Sequence, residues 1–429
     1  MKTLVVGAGV SGRAAAALAR SLGDDVTIYD RDPAAIGDLA AAYPTAAGEW
    51  SADLLDRVDR VVVSPGVPEH SLEVRDALAA GFPVISEVEL AASVLDSTLV
   101  AVTGTNGKST VTGLITDMLQ ADGCKAVAAG NIGTALSSVV VEPWDVVVAE
   151  VSSFQLRFIE RFHPRVAVLL NIAPDHLDWH GGFEPYAAAK AKIFQNQNAE
   201  DALVYDIDDA EASSRVAVAR SRLVPVSGHR VPEGGGGPIS DRLVLPAGEV
   251  TLGSISDPAY LVDLAAAGVA AGLLDVSLGA VERTVMGFSP GPHRRTLVGT
   301  WDGVAWVNDS KATNPHAALA SIQAYPSVVL IAGGRNKGLD LTPMVSAANL
   351  RGIVAIGEAA AELSGSNTVM APGLGEAVEM ASELAKDGDT VLLAPGCASF
   401  DMFDSYMARG DTFEASVAAK FPAPEVDGG

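Results

Sequence analysis

Cysteine is scarce: Cys124 and Cys397 are the two in 429 residues. Two thiols cannot build a disulfide framework, and their spacing suits no zinc site, so a reducing cytoplasm is the expected setting. Basic residues are outnumbered, with 29 Lys and Arg against 53 Asp and Glu and a net charge of −24. Such a surface repels phosphate backbones, which argues against a nucleic-acid partner. The acidity bears on solubility and not on fold. No apolar run approaches the roughly 18 residues of a membrane span. Lys2, Leu4–Val6 and the alanines that follow faintly imitate a signal peptide, but Gly7, Gly9, Gly12 and Arg13 interrupt them. A soluble, cytoplasmic protein with no membrane partner is expected. Hydrophobic residues make up 48% and charged residues 19%. That composition supports several cores, and the length allows about two to four domains.

Strands and helices alternate. Apolar runs at Thr3–Val6, Val26–Tyr29, Arg60–Val63 and Pro83–Ile85 read as strands, with a helix at Arg13–Leu22. The pattern restarts at Leu99–Val102 and continues through Val146–Ala149, Val166–Leu170 and Leu203–Tyr205. Four consecutive glycines, Gly234 to Gly237, read as a flexible surface loop, and Leu261–Leu274 as an Ala-rich helix. After the hinge-like Ser289-Pro290-Gly291-Pro292, strands recur at Val328–Ile331, Gly352–Ile356 and Thr390–Leu393. Alternation of this kind implies parallel sheets covered on both faces. The expected fold class is α/β in three domains, 1–97, 98–290 and 291–429: a Rossmann-like unit, a central phosphate-loop ATPase-like sheet and a second Rossmann-like unit.

Two glycine loops follow strands and open helices. Gly7-Ala8-Gly9-Val10-Ser11-Gly12, with Asp30 closing the next strand, has the pattern of a dinucleotide-binding turn. Its bland alternative is a tight structural turn; Ser64-Pro65-Gly66 would sit at the same sheet edge. The second loop runs Gly104, Thr105, Asn106, Gly107, Lys108, Ser109, Thr110. Its glycines let N–H groups face phosphate oxygens, Lys108 neutralises β/γ charge, and Ser109 suits Mg²⁺; the strict pattern has glycine where Val102 stands. Glu150, at the end of the Val146–Ala149 strand, is placed to serve the same metal. Asn171 to Asp178 follows another strand and brings Asp175 and His176 toward that edge. In the last third, Asn308–Asn314, Gly333–Gly338 and Pro395–Asp401 each follow or end a strand, so the three loops should converge, as ligand loops do at the carboxyl edge of open sheets.

With GTNGKST, Ser152-Ser153-Phe154-Gln155-Leu156, PDHLD, NDSKATN and GGRNKG in one order, the chain resembles the Mur ligase superfamily along nearly its whole length. The resemblance implies an ATP-dependent amide ligase of peptidoglycan precursor synthesis. Within the superfamily the marks favour the branch joining D-glutamate to UDP-N-acetylmuramoyl-L-alanine through an acyl phosphate. It also implies roles. Lys108 would hold phosphates, Ser109 and Glu150 a first Mg²⁺, and His176 a second; Lys190 would be a carbamylated metal ligand. Arg294, Asp309 and Lys311 would meet ATP or the transferring phosphoryl group. Thr313, Lys337, Ser399, Phe400 and Tyr406 would receive D-glutamate. Val10, Ser11, Asp30, Arg31, Gly66 and Asn131 would surround the UDP-sugar, and His293 also matches a family position. Asp257 and Tyr260 stand where the family usually has two asparagines. A monomer is expected. Two other classes compete, a nicotinamide-dependent oxidoreductase built on the first loop and a nucleotide-binding regulator without catalysis. A folate-polyglutamylating enzyme is the same-class alternative.

Overall fold

The structure, a computed structural model, describes residues 1–365 and 367–421; the remainder of the expected third domain, 422–429, lies outside the described residues. The chain forms two compact units, Met1–Ala173 with Trp179–Gly287, and Pro174–Asp178 with the chain from Phe288 onward.

The first unit holds two parallel sheets. In the N-terminal one the strand order is Thr45–Ala47, Asp25–Asp30, Lys2–Val6, Arg60–Val63, Val84–Ser86. In the other it is Arg222–Val226, Ala202–Asp206, Val166–Leu169, Thr98–Thr103, Val146–Glu150, Ala126–Gly130. Val100–Val102, Val147–Ala149 and Ala167–Leu169 are wholly buried, as strands covered on both faces must be, which is why they read as continuous apolar runs. Helices Val10–Ser21, Glu87–Ala92 and Leu136–Val139 contribute to one apolar core spanning both sheets. Buried carboxylates reinforce it: Glu87 accepts the Ser137 N–H at 2.5 Å, and Glu89 accepts the N–H groups of Glu160, Arg161 and Phe162 at 2.8–3.1 Å.

The glycine run departs from expectation. Gly235, Gly236 and Gly237 are buried, and Gly237–Ile239 is a strand of a small antiparallel sheet with Arg242–Leu245 and Gly248–Thr251. A Cβ at Gly235 would lie 1.8 Å from the Pro225 carbonyl oxygen. Close backbone packing, and not flexibility, requires glycine there.

In the second unit the sheet order is Thr296–Trp301, Val304–Asn308, Thr390–Leu393, Val328–Gly333, Leu350–Ile356, Thr368–Met370. The first two strands are an antiparallel hairpin at the edge; the others run parallel.

Candidate active site

In the central sheet of the first unit, Thr98–Thr103 lies between Val166–Leu169 and Val146–Glu150. The strands that follow Thr98–Thr103 and Val166–Leu169 in the chain, Ala126–Gly130 and Ala202–Asp206, lie on opposite sides of the pair, so their carboxyl ends form a topological switch point. The loop Gly104–Gly107 lies at that edge and leads into helix Lys108–Ala121. Gly107 has φ +85°, and a Cβ there would lie 2.5 Å from Asp263 Oδ1, so both backbone and space demand glycine. No side chain caps this helix, which leaves its N-terminus open to an anion. The loop is anchored from below: the N–H groups of Thr105 and Asn106 donate to Asn171 O and Oδ1 at 2.8 Å. Thr105 Oγ1 lies 2.8 Å from the Tyr186 hydroxyl. Lys108 Nζ folds back to donate to Gly104 O at 3.0 Å and Thr105 O at 2.9 Å.

Glu150 pairs in register beside Val102 and is 2% exposed. Its Oε2 accepts from Ser109 Oγ at 2.7 Å and its Oε1 from Asn131 Nδ2 at 2.8 Å. Two neutral donors therefore hold a buried carboxylate at the mouth of the phosphate loop. Lys190, 2% exposed, donates to Gly104 O at 2.7 Å and sits 4.9 Å from the centre of the Tyr186 ring. Sequence reasoning on spacing gave no reason to single it out, because a lysine on a helix is ordinarily a solvated group.

Asn131 also lines a second opening, a cleft of about 570 Å³ at the carboxyl edge of the N-terminal sheet. Val10, Ser11, Asp30, Arg31 and Gly66 line it too, so all six residues assigned to the nucleotide-sugar come together. Here the acid does something other than wait for a ribose: Asp30 Oδ2 accepts the Ala8 N–H at 2.6 Å and Oδ1 the Asp32 N–H at 2.9 Å. Arg31 is fixed by a two-pronged pair with Glu73, at 2.7 and 3.0 Å. Glu73 is 2% exposed; although burial opposes its charge, Arg31 and nearby N–H and O–H donors hold its carboxyl below the usual range. Glu73 escaped the sequence reading, since a glutamate in a helix's first turn carries no signal of its own.

In the second unit the three loops converge as expected. Arg335 and Ala398 exchange backbone hydrogen bonds at 2.9 and 3.0 Å, and the N–H groups of Asp309 and Gly396 donate to Leu393 O and Ala312 O at 2.8 Å. Lys311 Nζ stands 4.1 Å over the Tyr406 ring. Asp309 is buried and bonded to the Ser321 hydroxyl and the Arg295 N–H; burial pushes its carboxyl up. Arg294 and Thr313 are half-buried, Ser399 is buried, and Phe400 is 66% exposed. Lys337, assigned to a substrate carboxylate, here pairs with Asp175 at 2.5 Å, with Asn314 Nδ2 at 3.4 Å from the other oxygen. Burial disfavours the Asp175 charge, yet Lys337 and His176 keep its carboxyl below the usual range. His176, at φ +51°, belongs to this unit, and Glu150 belongs to the first. Asp257 caps helix Pro258–Gly272 by accepting the Ala259 N–H at 3.0 Å.

Fold and site define an α/β protein with a glycine loop that opens a helix in one sheet and a cleft on its neighbour. Family models match in the same order: the Mur ligase MurD-like N-terminal domain over residues 1–86, the Mur ligase middle domain over 102–230 and the Mur ligase glutamate ligase domain over 293–397. The chain belongs to the Mur ligase family. It is 41% identical to the UDP-N-acetylmuramoylalanine–D-glutamate ligase of Frankia casuarinae, covering 98% of this chain and 94% of that protein. The enzyme of the same name from Salinibacter ruber is also 41% identical, with 97% of each covered. Among solved structures the fold is similar to MurF from Acinetobacter baumannii, with TM-score 0.62, 16% identity and coverage of 96% and 93%. It is similar also to the MurF ligase of Thermotoga maritima in complex with ADP, with TM-score 0.60, 17% identity and coverage of 84% and 96%.

Proposed function

We propose that the protein is an ATP-dependent ligase that joins D-glutamate to UDP-N-acetylmuramoyl-L-alanine in peptidoglycan precursor synthesis. The observation that carries this reading is Asn131, which lines the nucleotide-sugar cleft and also holds Glu150 beside the phosphate loop. One side chain thus connects the place for the sugar nucleotide with the place for a triphosphate.

The chemistry starts from a carboxylate, which is a poor acylating agent. An oxygen of the L-alanine carboxylate attacks the γ-phosphorus of ATP, the β–γ bridging bond breaks, and ADP leaves. The amine of D-glutamate then attacks the acyl-phosphate carbonyl, the tetrahedral adduct collapses with loss of phosphate, and the amine proton passes to solvent or phosphate. The protein positions reactants and screens negative charge in both steps. Lys108 moves from the loop carbonyls to the β/γ oxygens, and Gly104 to Thr110 supply N–H groups and hydroxyls. Lys311, Arg294 and Asp309 serve the transferring group, while Thr313, Lys337, Ser399, Phe400 and Tyr406 receive D-glutamate. For Lys337 to take a substrate carboxylate, Asp175 must give up its place. Val10, Ser11, Asp30, Arg31 and Gly66 surround the uridine diphosphate.

Two Mg²⁺ ions belong to this reading, and the donors beside the glycine loop fit the first. Ser109 and the buried Glu150 offer hard oxygen ligands, and His176 would hold the second ion. Among the described residues no three His, Cys, Asp or Glu side chains gather into a metal cage, so phosphate oxygens and water would complete the shell, as suits magnesium. When bound, the ions neutralise triphosphate charge. Lys190 as an amine does not suit a cation; as a carbamate, formed when Nζ adds to CO₂ and releases a proton, it becomes an anionic oxygen ligand. The domain limits 1–97, 98–290 and 291–429, a monomer and a cytoplasmic setting complete the reading. Among the described residues no helix is long and apolar enough to cross a membrane. A phosphate-release assay with ATP and UDP-N-acetylmuramoyl-L-alanine tests the proposed reading. Release should require D-glutamate and fail with L-glutamate, lysine or diaminopimelate; release with one of those instead would overturn the assignment.

A further inference from the structure

Helix Tyr406–Lys420 turns Arg409 inward, where its side chain is 1% exposed. A guanidinium stripped of water is costly and is normally met by a carboxylate. Arg409 instead donates to neutral oxygens: Nε to Ser310 Oγ at 2.9 Å, Nη2 to Ser310 O at 2.9 Å and Nη1 to Cys397 O at 3.1 Å. Burial pulls its pKa down to about 10, which leaves it charged at neutral pH. Ser310 Oγ in turn donates to Tyr406 O at 2.8 Å, closing a ring between helix and loop. The third loop meets the same group, because a Cβ on Gly334 would begin 3.2 Å from Nη1 and 2.3 Å from Ala398 O. One buried cation thus stands where three loops meet. Ser310 precedes Lys311, Gly334 lies just before Lys337, and Cys397 lies just before Ser399.

We propose that Arg409 is a positioning residue for the amino-acid subsite: its planar fork sets the spacing of the three loops, and its charge favours an amino acid with two carboxylates among them. This rests on the D-glutamate reading above. A plug that merely fills the core would need neither a fork nor a charge; three donors aimed at two different loops imply that both matter.

The experiment compares Arg409→Lys, which keeps the charge and loses the fork, with Arg409→Met, which loses both, and with Ser310→Ala, which removes one acceptor. The Michaelis constant for D-glutamate should rise about tenfold in R409K and in S310A and about a hundredfold in R409M. That for UDP-N-acetylmuramoyl-L-alanine should stay within about twofold. Unchanged D-glutamate constants, or a parallel rise for both substrates, would overturn the proposal. R409K and S310A decide the matter if R409M fails to fold. Hydrogen exchange at residues 310–313, 334–338 and 396–399 should quicken in R409K without any substrate; unchanged exchange overturns the positioning role. If the wild-type protein releases no phosphate with D-glutamate, the functional reading falls, whereas the exchange result still judges the loop spacing.

Discussion

The two glycine loops of the first unit are built alike and differ in what surrounds them. Each follows a buried strand, and each opens a helix without a side-chain cap, at Val10 and at Lys108. Beside the first, Asp30 occupies the Ala8 N–H, and Arg31 is already committed to Glu73. Among the described residues its cleft offers shape and hydrogen bonds and is lined by no lysine. Beside the second stand Lys108, Ser109, Glu150 and the buried Lys190. On the function proposed above, the same backbone device would serve holding in one case and phosphoryl transfer in the other, and the neighbouring side chains make the difference.

The largest test of that contrast is Lys108→Ala. Turnover should fall about a thousandfold, because a cation aimed at developing phosphoryl charge acts in a water-poor site. Binding of the sugar nucleotide, followed by calorimetry without ATP, should remain near wild type. Near-normal turnover would remove the distinction between the loops. Lys190→Ala comes next. A loss of about a hundredfold is expected, with partial recovery on adding short carboxylic acids that replace the carbamate oxygen. Full activity would remove any role for Lys190, and a loss that no acid rescues would leave the amine's bond to Gly104 O as the whole of it.

How far the sequence went follows from the same contrast. The second loop was legible because strand, glycines, lysine and hydroxyls are contiguous, and Glu150 because it ends the apolar run that pairs beside Val102. Lys190 and the amino-acid subsite came from resemblance, since helix spacing alone marks neither. Arg409 meets Ser310 across 99 residues and Glu73 meets Arg31 across 42, and no local pattern announces such meetings. Gly234 to Gly237 misled for a related reason: the run suggested a free loop, yet the Pro225 and Arg230 carbonyls pack against it.

Gly12→Ala sharpens the comparison with the smallest effect. Its Cβ would fall 1.7 Å from the Gly7 carbonyl oxygen, so the first loop must shift. A loss of about 1–3 kcal/mol in unfolding free energy is expected. The Michaelis constant for the sugar nucleotide should rise about tenfold while that for ATP is unchanged. A matching rise for ATP would mean that the two loops do not act separately.

Acyl-phosphate formation can be read from oxygen itself. With both carboxylate oxygens of UDP-N-acetylmuramoyl-L-alanine carrying ¹⁸O, one labelled oxygen should appear in the phosphate released on ligation and one should stay in the amide. Unlabelled phosphate from a completed ligation would mean that the carboxylate never attacks ATP, and the account built on the second loop would be wrong.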